Sequence, residues 1–123
     1  MDVEWGYNEV LIKEEDRWKA AFITNKGLFK PTVMFFSLTN SPTTFQTMMN
    51  TIFRDLINGG NVTIYMDDIA IHTRHKEGET EDKHVTCHCL LVQQVLKRLH
   101  KNDLHLNLEK CTFKQDHLNF LGI

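Results

Sequence analysis

The clearest hydrophobic pattern in the chain begins at Ser41. Apolar side chains then recur every three or four residues and form one helical face, made of Phe45, Met48, Met49, Ile52, Phe53 and Leu56. Either Ser41 or Asn40 can cap this helix, and the proline that follows suits its first turn. Two consecutive glycines end the apolar spacing. The pattern therefore predicts a helix over residues 41–58.

A second helical pattern and two strand patterns fill the C-terminal half. Residues 82–102 predict a helix, and the side chains predicted to face inward are Val85, Leu90 or Leu91, Val95, Leu96 and Leu99. Residues 104–108 alternate apolar and polar, as a half-buried strand does, and residues 118–123 predict a last strand.

The N-terminal third predicts strands. Residues 1–12 alternate weakly, which indicates a strand end followed by a turn at Gly6. Residues 18–24 and 28–36 predict two strands, and the turn residues between them predict a hairpin. Pro31 lies inside the second run, which favours an edge strand or a bulge.

A second hairpin is predicted in the middle of the chain. The β-branched runs 61–64 and 69–72 flank the residues Tyr65-Met66-Asp67-Asp68. The order of elements becomes strands, helix, hairpin, helix and strands. This order predicts an α+β fold rather than a regular array of βαβ units.

Composition limits the class of protein. With 123 residues, 41% of them hydrophobic and 24% charged, the chain suits one globular domain. Acidic residues outnumber basic residues by 16 to 14, whereas a free-standing nucleic-acid binder is usually clearly basic. Any grip on nucleic acid must come from a local patch or from parts of a longer protein.

Cysteine usage and apolar runs bear on the compartment. Three cysteines without scaffold spacing indicate free thiols and a reducing environment. The acidic opening does not fit a signal peptide, and the apolar runs are too short to span a bilayer. We expect an intracellular protein with no transmembrane segment.

Asp67 and Asp68 are the strongest candidates for chemistry. Adjacent carboxylates on a hairpin suit Mg²⁺, which prefers oxygen ligands and completes its octahedron with substrate phosphates. An adjacent pair of aspartates also occurs in ordinary solvated turns, so the pair alone leaves both interpretations open.

Several segments together resemble one family. Tyr65-Met66-Asp67-Asp68 resembles the metal-binding box of reverse transcriptases. Residues 35–46 resemble the segment that leads into the palm helix of gypsy-type LTR retrotransposon polymerases, and residues 2–8 resemble their first catalytic motif. Residues 18–22, 109–113 and 120–122 also fit, so the resemblance covers essentially the whole chain in the right order.

The resemblance implies a polymerase palm-like antiparallel sheet with two helices packed on one face, truncated at both ends. Residues 1–123 would be a partial palm without the N-terminal part of the fingers, the thumb and RNase H. It also implies an RNA-directed DNA polymerase that transfers deoxynucleotides to a primer 3′-hydroxyl with two Mg²⁺ ions, for which Mn²⁺ can substitute.

The resemblance assigns roles to individual residues. Asp2, Asp67 and Asp68 would be catalytic and would hold the metals, with the Val3 carbonyl as a further ligand. Substrate would contact Phe36, Tyr65 near the primer end, Met66 near the nucleotide sugar, Lys110 near pyrophosphate, and Tyr7 as a steric gate against ribonucleotides. Leu121 and Gly122 would begin the primer grip. Tyr7 as a core side chain and Lys110 as a solvated lysine are the alternatives.

Expected partners follow from the same resemblance. They are a primed RNA or DNA template, deoxynucleotides, and the fingers, thumb, RNase H and integrase of a polyprotein, with no membrane. The site of action would be the cytoplasm or a virus-like particle. A catalytically inactive retrotransposon remnant, or an interaction module that associates with itself through an unpaired sheet edge, is the alternative function.

Three local features depart from the family pattern. Ser37 stands where glycine is usual and Leu108 stands where proline is usual. Residues 84–89 are rich in His and Cys, and His84 and His88 would share one helical face. Zinc takes four such ligands, or three and a water, so the spacing favours ordinary helix positions over a zinc site.

Overall fold

The computed structural model of the chain describes residues 1–35, 38–118 and 120. Its α-helices are α1 (Ser41–Ile52), α2 (Arg54–Asn58) and α3 (Glu81–Lys101). Its strands are β1 (Val3–Glu4), β2 (Phe22–Thr24), β3 (Gly27–Phe29), β4 (Val62–Tyr65), β5 (Asp68–Ile71) and β6 (His105–Leu106). Short 3₁₀ turns of helix cover Gly6–Glu9, Glu14–Ala20 and Leu108–Lys110.

The strands pair as antiparallel ribbons. β1 pairs with β6, β2 with β3, and β4 with β5. A single antiparallel bridge between Asp2 and Asp68 joins two of these ribbons, so the strands run in the order β6, β1, β5, β4. The predicted α+β class is confirmed, with short ribbons in place of one continuous sheet.

The helices and ribbons share one core. The predicted apolar face of α1 is confirmed, because Phe45, Met49 and Phe53 are fully buried. They pack in one cluster with side chains from the strands, from α3 and from the segment between α3 and β6: Val3, Val62, Ile69, Val95, Leu99 and Leu104. On α3 the predicted inward positions Val85 and Leu96 are wrong, since both are more than a third exposed.

The first helix differs from its prediction at both ends. It breaks at Phe53, whose backbone lies outside the helical region, and resumes as α2. The predicted side-chain cap is wrong: Asn40 makes no capping bond, and the buried Ser41 hydroxyl instead donates to the Phe35 carbonyl at 2.8 Å. The predicted stop at the double glycine is confirmed, with Gly60 at a φ of 76°.

Arg98 of α3 forms hydrogen bonds on both sides of the break between α1 and α2. Its guanidinium donates to the Ile52 carbonyl at 3.1 Å and to both carboxylate oxygens of Asp55. This bond to Arg98 lowers the pKa of Asp55 to about 2. Both partners are partly or largely exposed, so the pair orients the helices more than it stabilises the fold.

Two predicted strands in the N-terminal third are shorter than expected. Residues 18–20 belong to a 3₁₀ helix, in which Lys19 pairs with Asp16 three residues earlier at 2.8 Å. The strand predicted over residues 28–36 ends at Phe29, because Pro31 lacks an N–H and the chain then pairs through Val33 with Leu11. The hairpin itself is confirmed.

The C-terminal strand predictions are also shortened. β6 ends where the Asn107 side chain accepts a bond from the Glu109 N–H at 3.2 Å and starts a 3₁₀ turn. Leu118 and Phe120 are not in a strand, and the rest of the predicted final strand lies outside the described residues. In the described part of the chain, no helix has the length and apolarity needed to cross a membrane.

Candidate active site

The centre of the site is the turn between β4 and β5. The strands pair with Tyr65 opposite Asp68, which leaves Met66 and Asp67 as the two turn residues. Met66 has a φ of 55°, in the left-handed region that side chains other than glycine rarely adopt. The predicted hairpin is confirmed, and it presents one aspartate in its turn and one at the start of β5.

Two hydrogen bonds to backbone groups of this turn hold it in place. The Val3 N–H of β1 donates to the Asp67 carbonyl at 2.8 Å. On the opposite side, the Met66 N–H donates to Oε1 of Gln46 on α1 at 2.6 Å. The turn is therefore fixed by an element that begins at the first residues of the chain and by a helix 20 residues upstream.

The same pairing brings Asp2 to Asp68. The two residues lie directly opposite each other, framed by the bond from Val3 to Asp67 and by an Ile69 N–H bond to the Met1 carbonyl at 2.7 Å. Opposite residues in antiparallel strands place their side chains on the same face. Like charges in this arrangement repel, which is the situation that a bound cation relieves.

The close approach of Gly6 and Tyr7 to α1 shapes the wall beside the turn. Gly6 is buried, and a Cβ at this position would lie 2.6 Å from the Phe45 ring. Tyr7 therefore follows a backbone that runs close to α1, and its ring meets Phe45 edge-on at 5.1 Å. The Tyr7 hydroxyl lies 3.9 Å from the Met66 sulfur, so its polar end faces the site.

One open cleft of about 660 Å³ gathers most of the predicted site residues. Seven of the positions that the resemblance assigned line it: Asp2, Tyr7, Tyr65, Met66, Asp67, Asp68 and Lys110. Val3 does not line the cleft, and its side chain is buried in the core. Phe36, Leu121 and Gly122, together with Ser37, lie outside the described residues.

Partial burial and neighbouring charges shift the pKa values of two side chains in the cleft. Partial burial and the neighbouring carboxylates of Asp67 and Asp68 raise the pKa of Asp2, while Lys110 opposes the shift. Burial and the Asp67 charge also raise the pKa of Tyr7, which keeps the phenol neutral at physiological pH. The cleft is thus a place where negative charge is already crowded.

The donor set suits a hard cation by its chemistry. Carboxylate oxygens are the ligands that Mg²⁺ prefers. Among the residues that the structure describes, however, no three His, Cys, Asp or Glu side chains are arranged closely enough to hold a metal ion. The aspartates share the cleft without forming a finished metal cage.

Sequence reasoning missed several residues of the cleft. Met1, Thr112, His117 and Leu118 also line it, and Gln46 supports it from behind. Thr112 lies beside Lys110 in a segment that carries the resemblance, whereas nothing in the local sequence around His117 indicates a site. Gln46 falls within a segment that carries the resemblance, yet the helical pattern shows it only as a polar position beside an apolar face.

The histidines and cysteines of α3 lie away from this cleft. His84 faces Glu79 at 3.5 Å and stacks near His75, and His88 contacts the Thr73 hydroxyl at 3.1 Å. Cys87 is exposed on the same helix.

Comparisons with known proteins agree with this geometry. The sequence profile of the family described as reverse transcriptase (RNA-dependent DNA polymerase) matches residues 1–123. The retrovirus-related Pol polyprotein from transposon 297 of Drosophila melanogaster is 35% identical over 122 residues, which are 99% of this chain and 11% of that polyprotein. The transposon Tf2-3 polyprotein of Schizosaccharomyces pombe is 33% identical over 122 residues, 99% of this chain and 8% of the polyprotein.

A solved structure shares the fold. It is a foamy viral protease-reverse transcriptase in complex with dsDNA, with a TM-score of 0.81 and 21% sequence identity. The match covers 99% of this chain and 23% of that one. The chain therefore spans roughly a tenth of its polyprotein relatives and about a quarter of the solved one.

Proposed function

The chain belongs to the reverse transcriptase family, and on that premise we propose that residues 1–123 are the palm of an RNA-directed DNA polymerase from a gypsy-type retrotransposon polyprotein. One observation carries the proposal. A backbone bridge sets Asp2 opposite Asp68, although the two residues are far apart in sequence. A solvated polar turn would not need a third acid brought to it from the first residues of the chain.

The three aspartates are proposed to hold two Mg²⁺ ions. Mg²⁺ held there would supply the positive charge that activates a primer 3′-hydroxyl and stabilises a departing pyrophosphate. Val3 uses its N–H on the side that faces the turn, and in an antiparallel strand the carbonyl of the same residue points to that side too. This placement supports the Val3 carbonyl as a backbone ligand, and the crowded carboxylates explain why a cation is needed.

Tyr7 is proposed to select deoxynucleotides. Its ring is braced by Phe45 and its hydroxyl faces Met66 beside the turn aspartates. A rigid phenol at this point would crowd a ribose 2′-hydroxyl. Tyr7→Ala is expected to raise ribonucleotide incorporation relative to deoxynucleotide incorporation, measured by competitive primer extension. Unchanged discrimination would leave Tyr7 with a packing role alone.

Lys110 is proposed to meet the leaving pyrophosphate. It is exposed, lines the same cleft, and is close enough to Asp2 to act on its pKa. An exposed ammonium beside crowded carboxylates can both attract a triphosphate and supply a proton. The roles of Phe36, Leu121 and Gly122 stay predictions.

The proposed substrates are a primed RNA or DNA template and deoxynucleotides. The net charge of −2 gives little general attraction to phosphate. We therefore propose that fingers, thumb, RNase H and integrase regions of a polyprotein supply most of the grip on template and primer. An intracellular site of action, in the cytoplasm or a virus-like particle, belongs to the same proposal.

An interaction module without activity is the second candidate, and a specific observation favours it. All six strand residues of β2 and β3 are exposed, including Ile23 at 83% and Leu28 at 67%. Such an apolar ribbon with open edges promotes association with another surface. An inactive remnant of a retrotransposon would keep the same ribbon.

Primer extension on an RNA template with Mg²⁺ and deoxynucleotides tests the proposal. Asp67→Asn should abolish extension and leave the fold intact, because it removes a ligand from an exposed turn and no core volume. Asp103→Asn is the matched control, since Asp103 is exposed at the end of α3 with a φ of 56° that asparagine tolerates.

The outcomes separate the candidates. Loss of extension in Asp67→Asn alone supports the metal role. Extension at the parental level in this variant would contradict that role. A folded parent chain that extends no primer would mean either that synthesis needs the fingers and thumb proposed above or that the chain is the interaction module or the remnant.

A further inference from the structure

Gln46 makes contacts that a surface glutamine does not need. It lies on α1, half-buried, between the apolar face of the helix and the edge of β4. Its Nε2 donates to the Ile64 carbonyl at 3.1 Å and to Asn50 Oδ1 at 2.9 Å. Its Oε1 accepts from the Met66 N–H at 2.6 Å.

These contacts pair one side chain with one strand edge. In the described residues β4 pairs with β5 only, so its outer edge presents backbone groups that need other partners. Ile64 lies in β4 and Met66 follows two residues later in the turn, and each directs one backbone group toward Gln46. The Gln46 amide therefore substitutes for a neighbouring strand, with a donor for one residue and an acceptor for the next.

The bond to Met66 acts on a strained residue. A left-handed conformation costs a residue with a Cβ about 1–2 kcal/mol, and Met66 adopts it at a φ of 55°. The hydrogen bond from the Met66 N–H to the neutral side-chain amide of Gln46, at 2.6 Å, offsets part of this cost. It also fixes the orientation of the Tyr65–Met66 peptide. On the other side the Val3 N–H fixes the Asp67 carbonyl.

We propose that Gln46 is a positioning residue for the active-site turn. It holds the backbone of Met66 so that the Met66 side chain meets Tyr7 and the two aspartates that follow stay in register with Asp2. It touches no substrate in this role. The catalytic part of this inference rests on the proposed polymerase function, whereas the structural part does not.

Amide hydrogen exchange of the full chain, measured by NMR, tests the structural part. Gln46→Leu removes both the donor and the acceptor, so exchange of the Met66 amide should accelerate about tenfold relative to the core amide of Val95. Gln46→Glu keeps an acceptor for Met66 and should preserve most of its protection. Gln93→Leu, at an exposed position of α3, is the matched control.

Primer extension with the same variants tests the catalytic part. Misplaced catalytic groups cost far more in turnover than in binding, so Gln46→Leu should lower kcat by about tenfold to a hundredfold with little change in the KM for deoxynucleotide. Gln46→Glu should recover part of the loss.

Each result has a defined meaning. Equal Met66 exchange in the parent and in Gln46→Leu would overturn the proposal, as would faster exchange with unchanged kcat. If the parent chain extends no primer, the isolated chain lacks polymerase activity, and the exchange data still decide whether Gln46 holds the turn. If Gln46→Leu does not fold, faster Met66 exchange in Gln46→Glu than in Gln93→Leu would overturn the division of roles between its two amide atoms.

Discussion

The two hairpins of this chain have the same local design and opposite surroundings. Both are antiparallel ribbons of short strands joined by two-residue turns. The β2–β3 hairpin exposes every strand residue, and the rings of Phe22 and Phe29 stack across it with their centroids 6.0 Å apart. The β4–β5 hairpin buries Val62, Ile69 and Ala70 in the core.

This difference shows what makes a hairpin rigid enough to carry the proposed active site. A two-stranded ribbon alone is marginal in water. The β4–β5 ribbon gains its rigidity from packing below it, β1 on one edge and Gln46 on the other. A ribbon held in this way resists the repulsion between its carboxylates, whereas the exposed apolar side chains of the β2–β3 ribbon are open to contact with another surface.

The largest expected difference in stability between the two hairpins comes from removing the same side chain, an isoleucine, from each. Ile69 is 1% exposed and Ile23 is 83% exposed. Ile69→Ala should lower the free energy of unfolding by about 2–5 kcal/mol, because it leaves a cavity in the core. Ile23→Ala should change it by no more than about 0.5 kcal/mol. Urea denaturation measures both, and similar losses would mean that the β2–β3 hairpin is packed in solution.

A smaller effect concerns the charge that only the β4–β5 hairpin carries. The raised pKa of Asp2 means that its ionised form is disfavoured in the folded state. The stability it contributes is present below the ordinary aspartate pKa and is lost as pH rises through the raised value. Without divalent metal at pH 7, Asp2→Asn should therefore be more stable than the parent, by no more than about 1 kcal/mol because the group is largely solvated.

Thermal unfolding with and without Mg²⁺ checks this prediction. Mg²⁺ should stabilise the parent and should stabilise Asp2→Asn much less, since a ligand stabilises only the state that binds it. Lowering the pH toward 3 should remove the advantage of the variant. An Asp2→Asn protein that is less stable than the parent at pH 7 would show that the aspartates are not crowded in solution.

The smallest expected change in stability comes from the exposed hairpin. Ile23 and Leu28 lie directly opposite each other across β2 and β3. The double variant Ile23→Lys, Leu28→Glu adds an opposite-charge pair and should alter stability by no more than about 0.5 kcal/mol. It should reduce self-association, measured by size-exclusion chromatography with light scattering. A parent that is already monodisperse and monomeric would contradict association through this surface.

Much of the fold could be predicted because its signals are local. The apolar spacing of Phe45, Met49 and Phe53 identified α1, and the β-branched runs around the Asp67-Asp68 pair identified the β4–β5 hairpin. The break at Phe53 could not be read in this way, because the apolar spacing continues through it. It coincides with a contact from Arg98, which lies 45 residues further along the chain.

Only part of the candidate site could be predicted from the sequence. The resemblance assigned Asp2, Tyr7 and Lys110 to one place, and the cleft brings them together with the turn. Gln46 was missed because its role depends on a strand edge and on a left-handed residue, neither of which leaves a periodic signal. Thr112 and His117 reach the cleft along an irregular segment, where pattern reasoning has little to use.

Gly6 gives the chain a point of low mutational tolerance. Any side chain at this position would press on the Phe45 ring, which is fully buried and cannot move aside cheaply. In a copy that drifts without selection for its activity, a change at Gly6 would push the Tyr7 backbone away from α1 and loosen the wall of the cleft. Decay of such a copy could therefore begin at a residue that carries no chemistry, while all three aspartates are still in place.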